Sequence, residues 1–585
     1  MWAHISRFIL RYKLFLLISL LFATIFMANK AIQVQYSYEF LPLLPEDDPT
    51  FIEYQEFLGY FGQEGNVMVI GFQCDSLYQL KNYNAYYDLY YKLKEIEGVE
   101  QVVSILQARN MKKNEALKSF DFKPVTSQRY ERQKQIDSVA KELASLPFYT
   151  KIFYNDKNKS HLMALTLNKE LLDNESRIDL ILSIEDVINP FAEQIGVDVH
   201  YSGLPYIRTK STVKTKAEVE MFIFLAMGVT AFIMLLFFRS FSAMFYSMLV
   251  VGVGVVWAIG TLVILGFKIT ILTALIPPLI IVIGIPNCIF LINKYHNEFK
   301  LHGNKIKAIS RVIQKVGNAT FMTNATTAAG FATFVITQTQ MLVEFGIVAS
   351  INILLVFFIS LIIIPSIYSF LPTPKERHLS HLERTWMNKL SVWMEKVVLN
   401  HRNIVYFSTV LLFFFALYGV SKIETTGNIV DDIPKDDPIT IDLDFFERNF
   451  TGVMPFEVMV NTNKNNGVSK SSTLKRIQKL ENVLAEYPEI SSTSSIADLA
   501  KFSKQAYYNG NPDYYSLPSS QEKNFILKYA KNTLGDSADI FNSFIDSTKS
   551  VARISARMKD IGTKQMRAIR DSIKPKIDEI FNPEK

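Results

Sequence analysis

The chain has 585 residues, 49% hydrophobic and 20% charged, with a net charge of +6. Those averages resemble a soluble protein, but the apolar residues are gathered into uncharged windows of about 20 residues, more than a soluble chain can bury. This excludes a soluble enzyme, a fibrous protein and a disordered chain, and basic loops beside a membrane explain the positive charge without nucleic acid.

In chain order, Arg7, Arg11 and Lys13 precede a first span, Leu14–Ala28, within an N-terminal segment 1–28. The run 22–30 offers no small-x-small cleavage site, so this span reads as an uncleaved anchor. A large polar region, 29–219, follows. Five spans then come close together: Met221–Phe238, Phe241–Leu265, Ile269–Ile292, Val316–Thr337 and Met341–Leu371, in a block 220–371. The span at 316–337 is the least apolar, because it contains Thr320, Thr323, Asn324, Thr326 and Thr327. A linker, 372–403, with Trp386 and Trp393 among charges, reads as an interfacial helix. A seventh span, Ile404–Ser421, leads to a second polar region, 422–585.

Lys and Arg set the orientation. The loop 293–318 holds Lys294, Lys300, Lys305, Lys307, Arg311 and Lys315 against one acid, Glu298. Its second half, Lys305–Lys315, reads as an amphipathic helix along the membrane face. The linker 372–403 is also basic, and Arg239 sits in the turn after the second span. With seven spans, all these loops and the N-terminus share one side, taken as the cytoplasm. Both polar regions then lie outside.

The two outer regions repeat one another. Leu-Pro-Glu-Asp-Asp-Pro at 44–49 returns as Ile-Pro-Lys-Asp-Asp-Pro at 433–438. A gapless match then pairs Phe57 with Phe446, Phe61 with Phe450, and 67–70 with 456–459. Further on, 162–167 resembles 552–558, and each is followed by an amphipathic helix. Each region therefore reads as an α/β unit built strand–helix–(helical insert)–strand–helix. Asp-Asp-Pro also suits a turn and helix N-cap. The expected fold is an α-helical polytopic membrane bundle of about seven spans with two duplicated α+β extracytoplasmic domains. The duplicated plan calls for one more strand and five more spans after the last helix, and the sequence given stops at Lys585.

Several stretches carry a family resemblance: Phe237-Phe238-Arg239-Ser240, Leu275-Ile276-Pro277-Pro278-Leu279, Thr326-Thr327-Ala328-Ala329-Gly330-Phe331 and Glu344-Phe345-Gly346. With the span plan, they resemble the RND superfamily, closest to its MMPL-type exporters of lipids and hydrophobes, and the block of five spans resembles a sterol-sensing-type bundle. The resemblance implies a transporter of the inner membrane of a double-membraned bacterium. Its implied partners are membrane lipids or a hydrophobic substrate, together with periplasmic or outer-membrane export proteins. It implies no cofactor.

The same resemblance implies a proton-carrying aspartate in span four, in a Gly-x-Asp-Tyr pattern. The matching stretch is Gly284-Ile285-Pro286-Asn287-Cys288, which puts Pro286 and Asn287 where the family has Asp and Tyr. Neither carries a proton at physiological pH. Three readings stay open: coupling elsewhere, coupling to another ion, or a non-pumping lipid-binding or assembly protein. An inactive half-transporter is a further alternative. The candidate transport and coupling residues are Gly284, Pro286, Asn287, Thr323, Asn324, Thr326, Thr327, Gly330 and Glu344. Pro277 and Pro278 are expected to break a helix within the membrane, and Ala328, Ala329 and Gly330 to admit a close helix neighbour. The threonines can bond across the bundle or to their own backbone.

The tyrosines at 78, 83, 86, 87, 90 and 91 crowd one outer helix and offer either core packing or a surface for a hydrophobic substrate. No Walker-type glycine loop, nucleophile elbow or metal-type His spacing occurs, so ATP use, hydrolase chemistry and a metal site have no support. Cys74 and Cys288 do not make a disulfide framework.

Overall fold

The computed structural model describes residues 2–35, 48–62, 65–126, 128–155, 157–270, 272–374, 385–423, 427, 434–452, 454–532 and 543–581. Residues 44–47 and 433 of the repeated motif lie outside that set. The chain opens with α1 (Trp2–Arg11), α2 (Lys13–Ala31), α3 (Pro49–Phe61), β1 (Val67–Gln73), α4 (Leu80–Lys94) and β2 (Val99–Val103). An insert of β3 (Arg109–Asn114), β4 (Ser119–Pro124), α5 (Gln133–Ala144), α6 (Pro147–Phe153) and β5 (Tyr154–Asn155) follows. Then come β6 (Ser160–Leu167), α7 (Lys169–Leu172), α8 (Ser176–Ile195) and β7 (Val199–Ser202). The long helices are α9 (Leu204–Phe238), α10 (Phe241–Ile264), α11 (Ile276–His302), α12 (Lys305–Ala332) and α13 (Gln340–Phe370), before α14 (Thr385–Asn400) and α15 (Arg402–Ser421). The last stretch holds α16 (Pro438–Phe450), β8 (Met454–Asn461), α17 (Ser471–Leu484), β9 (Ser494–Ser495), α18 (Ile496–Tyr507), α19 (Ser520–Asn532), β10 (Val551–Met558) and α20 (Gly562–Ile580). Two compact units result: a helical bundle from 1–46 and 212–423, and a sheet-bearing unit from 47–211 and 424–585.

Among the described residues, six helices are long and apolar enough to cross a membrane: α2, α9, α10, α11 with its preceding turn, α13 and α15. α12, which carries the expected fifth span, is not among them, because its threonines and Asn324 dilute its apolarity. It still packs along α11 and α13. The basic stretch 305–315 is not a separate surface helix. It is the first half of α12, and its Ala308, Ile309, Val312 and Ile313 are buried in the bundle core. The break expected at Pro277 and Pro278 is instead a helix start. Both prolines occupy the first turn of α11, where a missing N–H costs nothing. Pro286 lies inside the continuous helix.

Among the described residues, the sheet-bearing unit contains two larger sheets and the two-stranded β3-β4 pair. The first has the order β2-β6-β1-β7, with every neighbour antiparallel and β5 added to β6. α4 crosses from β1 to β2 and α8 from β6 to β7, a split β-α-β arrangement. The second sheet has the order β9-β10-β8. β6 and β10 are both eight residues long and show the same sequence of buried and half-buried positions. Their pairings with β1 and β8 then place Val67 at the position of Pro455 and Met68 at that of Phe456. The gapless match at 67–70 is therefore one residue out of step. It would put the core residue Met68 opposite Glu457, which faces away from the core, and a one-residue slip reverses the faces of a strand.

The repeated motif caps both helices alike. Asp48 accepts from Thr50 N at 2.7 Å and Asp437 from Ile439 N at 2.9 Å, each with proline at the first helical position. The helices they start are exchanged between the sheets. α16 packs on β7, and a Cβ on Gly71 of β1 would lie 2.8 Å from rings of Phe445 and Phe446. Conversely, Arg553 of β10 lies over Phe57 and Phe61 of α3, at 5.4 and 5.9 Å. The inserts also meet: Phe148 stacks on Phe502 at 5.5 Å, and Gln505 donates to the Ser145 carbonyl at 2.9 Å. One continuous core runs through both sheets.

Candidate functional site

In the bundle, Asn287 of α11 faces Asn324 of α12. Asn287 Nδ2 donates to Asn324 Oδ1 at 3.2 Å, and Asn324 Nδ2 returns a bond to Asn287 Oδ1 at 2.8 Å. Asn324 Nδ2 also reaches the Thr320 carbonyl at 2.7 Å. Both amides are buried, 5% and 2% exposed. A reciprocal pair of this kind satisfies each side chain with the other, and an amide does not titrate. Pro286 adjoins the pair without a backbone N–H. Gly284, one turn earlier, lies where a Cβ would come within 3.1 Å of Val356 and 3.3 Å of Val251, so it admits α13 and α10 closely.

Truncating one member leaves the other amide unsatisfied in an apolar setting. Asn324→Leu is expected to cost about 1–2 kcal/mol. Asn287→Leu/Asn324→Leu together should cost clearly less than the sum of the single changes. A double-mutant cycle in detergent checks this, and strict additivity would mean the two amides do not depend on each other.

The other candidates do not join this pair. Thr323, Thr326 and Thr327 donate to the carbonyls of Ala319, Met322 and Thr323 at 3.0, 2.9 and 2.8 Å, so they bond their own helix. Gly330 has no atom within 4 Å of a built Cβ and is not a helix-crossing point here. Of that small-residue run only Ala328 is buried, at 4%. Glu344 is buried near the start of α13 and accepts from Gln340 Nε2 at 3.1 Å.

Two buried polar features were missed. Asn352 of α13 is fully buried, donates to the Val348 carbonyl at 2.8 Å and accepts from Thr261 at 3.3 Å. Trp257, one turn before Thr261, donates to Thr24 of α2 at 3.0 Å. The available signal was a lone asparagine in the apolar run 341–371. Glu298, the single acid of the basic loop, is fully buried between α11 and α12. Lys315, Lys294, Arg311 and His302 surround it at 2.9, 3.4, 3.5 and 3.6 Å. This cluster joins the two helices at one end of the bundle.

The sheet-bearing unit holds a second buried ionic cluster, which sequence reasoning also missed. Lys501 of α18 reaches Asp498 at 3.0 Å and Glu481 at 3.3 Å, and Ser495 donates to Glu481 at 2.6 Å. Burial and then the nearby Asp498 push the Glu481 carboxyl above its ordinary value, against the pull of Lys501. Where α16 meets β7, His200 Nδ1 lies 2.9 Å from Asp442 and its ring stacks on Phe445 at 4.1 Å. The α4 tyrosines divide by face. Tyr83, Tyr86 and Tyr90 are buried, whereas Tyr87 and Tyr91 stand outward, their rings 4.7 Å apart, beside an open groove of about 310 Å³.

Residues 77–399 match the profile of the MMPL family. The chain is also similar to a membrane protein of Methanocaldococcus jannaschii, 23% identical over 381 residues that make up 63% of this chain and 92% of the relative.

Proposed function

The chain belongs to the MMPL family, and from that premise we propose that it is an RND/MMPL-type transporter that moves lipids or other hydrophobic or amphiphilic molecules outward. It sits in the inner membrane of a double-membraned bacterium, N-terminus in the cytoplasm, with the sheet-bearing unit outside. The sheets arose by duplication. The substrate is taken up through apolar surfaces, without enzyme chemistry or a cofactor, and is passed to export proteins beyond the membrane.

The observation that most supports transport is the match of residues 77–399 to the MMPL family, a stretch that carries the apolar helices α9, α10, α11 and α13. Gly284, Pro286, Asn287 and Asn324 form the polar centre of the bundle around which the spans move. Thr323, Thr326, Thr327, Gly330 and Glu344 serve the path at its margin.

A second reading is favoured by the amide pair. With Asn287 and Asn324 closed on each other, this bundle has no carboxylate where the family carries a proton. A non-pumping, sterol-sensing-like lipid-binding protein would have that property. Proteoliposomes with a fluorescent phospholipid analogue separate the readings. Transport predicts net transfer of the analogue between leaflets or to an acceptor, and this transfer survives Asn287→Leu at reduced rate. Saturable binding with no net transfer, with or without a pH gradient, would reject transport in favour of binding.

A further inference from the structure

We propose that Lys294, Arg311 and Lys315, gathered around Glu298 where α11 turns into α12, bind a phosphate monoester, carried by a lipid headgroup or by a soluble phosphate. Helical spacing builds the site. Lys294, Glu298 and His302 recur every four residues along α11, and Lys307, Arg311 and Lys315 do the same along α12. Each set therefore lines one face of its helix. The turn between the helices brings the two faces together, so that Lys315 and Arg311 reach back to Glu298.

The charges in this cluster do not balance. One cation would neutralise the buried Glu298, yet three converge on it. Lys315 and Lys294 share its Oε1, at 2.9 and 3.4 Å. Arg311 stands 3.5 Å from Oε2, which accepts no hydrogen bond among the described residues. His302 adds no charge. Arg311 donates to its Nε2, and a guanidinium has only donors, so this nitrogen is the acceptor of a neutral ring. Among the described residues, no other carboxylate pairs with the three cations. Three positive charges thus face one negative charge. Like charges held this close repel one another, and a second anion relieves that repulsion.

The surplus specifies the anion. Two unmatched positive charges suit a phosphate monoester, which carries about −1.5 to −2 at neutral pH. Arg311 offers a planar fork to two of its oxygens, and the lysines act as point charges on the others. The cations are also within reach. The side chains of Lys315, Arg311 and Lys294 are 54%, 37% and 34% exposed, whereas that of Glu298 is 1% exposed. The carboxylate lies behind them, and an entering anion meets the cations first.

The test uses the full chain with two probes. Native mass spectrometry compares retention of dioleoyl phosphatidic acid with that of dioleoyl phosphatidylcholine. Calorimetry follows titration of sodium phosphate into the chain in phosphatidylcholine nanodiscs. The expected result is saturable binding in at least one arm. Retention of phosphatidic acid would assign the site to a lipid headgroup, and binding of phosphate alone would assign it to a soluble source. Arg311→Gln/Lys315→Gln should weaken binding at least about tenfold. Arg311→Lys keeps a cation beside Glu298, and with it the fold, but loses the fork. It should weaken binding at least about threefold at an unchanged unfolding midpoint. Lys389→Gln/Lys396→Gln, which removes the same charge from α14, should have no effect. Absence of saturable binding in both arms would overturn the proposal, as would full binding by Arg311→Lys or equal losses in the two double variants.

Discussion

Lys501→Met is expected to cost the sheet-bearing unit about 3–5 kcal/mol, because it leaves two carboxylates buried with no cation. Lys501, Glu481 and Asp498 side chains are only 10%, 6% and 5% exposed, so water does little to screen them. The loss should depend on pH in a definite direction. Burial and Asp498 already raise Glu481 above its ordinary value, and without Lys501 it rises further. An acid whose folded value exceeds its unfolded one holds its proton more tightly when folded. Its contribution to stability is complete below the unfolded value and is lost as pH rises toward the folded one. The deficit of Lys501→Met should therefore be largest at neutral pH and above, and should shrink as pH falls toward about 4. Unfolding midpoints of the full chain across that range test this. A deficit that does not change with pH would assign the effect to packing alone.

Gly203→Ala is expected to cost about 2–5 kcal/mol, combining backbone strain with overpacking. Gly203 joins β7 to α9 at φ +104°, where side chains are disfavoured, and a Cβ there would run into the Val67 carbonyl and lie 3.0 Å from Met68 Cα. Relief would require β7 to separate from β1, and β7 leads directly into α9. Activity should therefore fall further than stability alone accounts for. Gly228→Ala is the control. Gly228 lies in the same helix at an ordinary φ with nothing within 4 Å of a built Cβ, and it should behave as wild type. Equal effects of the two substitutions would show that the junction has no special role.

What was legible in the sequence was local or repetitive. The apolar runs of α2, α9, α10, α11, α13 and α15 are each a property of some 20 neighbouring residues, and the structure agrees with them. The caps at Asp48 and Asp437 involve residues two apart. α12 was ambiguous for a physical reason. Its threonines lower apolarity, but most of them satisfy their hydroxyls on their own helix. Contacts between distant segments were not legible. Composition does not reveal that Asn287 would find Asn324 rather than a threonine, or that Glu298 would gather two lysines, an arginine and a histidine. The exchange of α3 and α16 between the sheets was likewise invisible, because each helix matches its own half in sequence and packs on the other in space. The single-residue offset between 67–70 and 455–458 appears only when strand register fixes which face each residue occupies.

Outward transport of a lipid or another amphiphile, the function proposed for this chain, is read most directly in native membranes. The most direct measurement is the lipid composition of inner-membrane and cell-surface fractions from the native organism with the gene intact, with the gene deleted, and with Gly203→Ala. One amphiphile class is expected to accumulate in the inner membrane and to be depleted from the surface on deletion, with Gly203→Ala shifting the same class in the same direction. Identical profiles in the intact and deleted strains would contradict it.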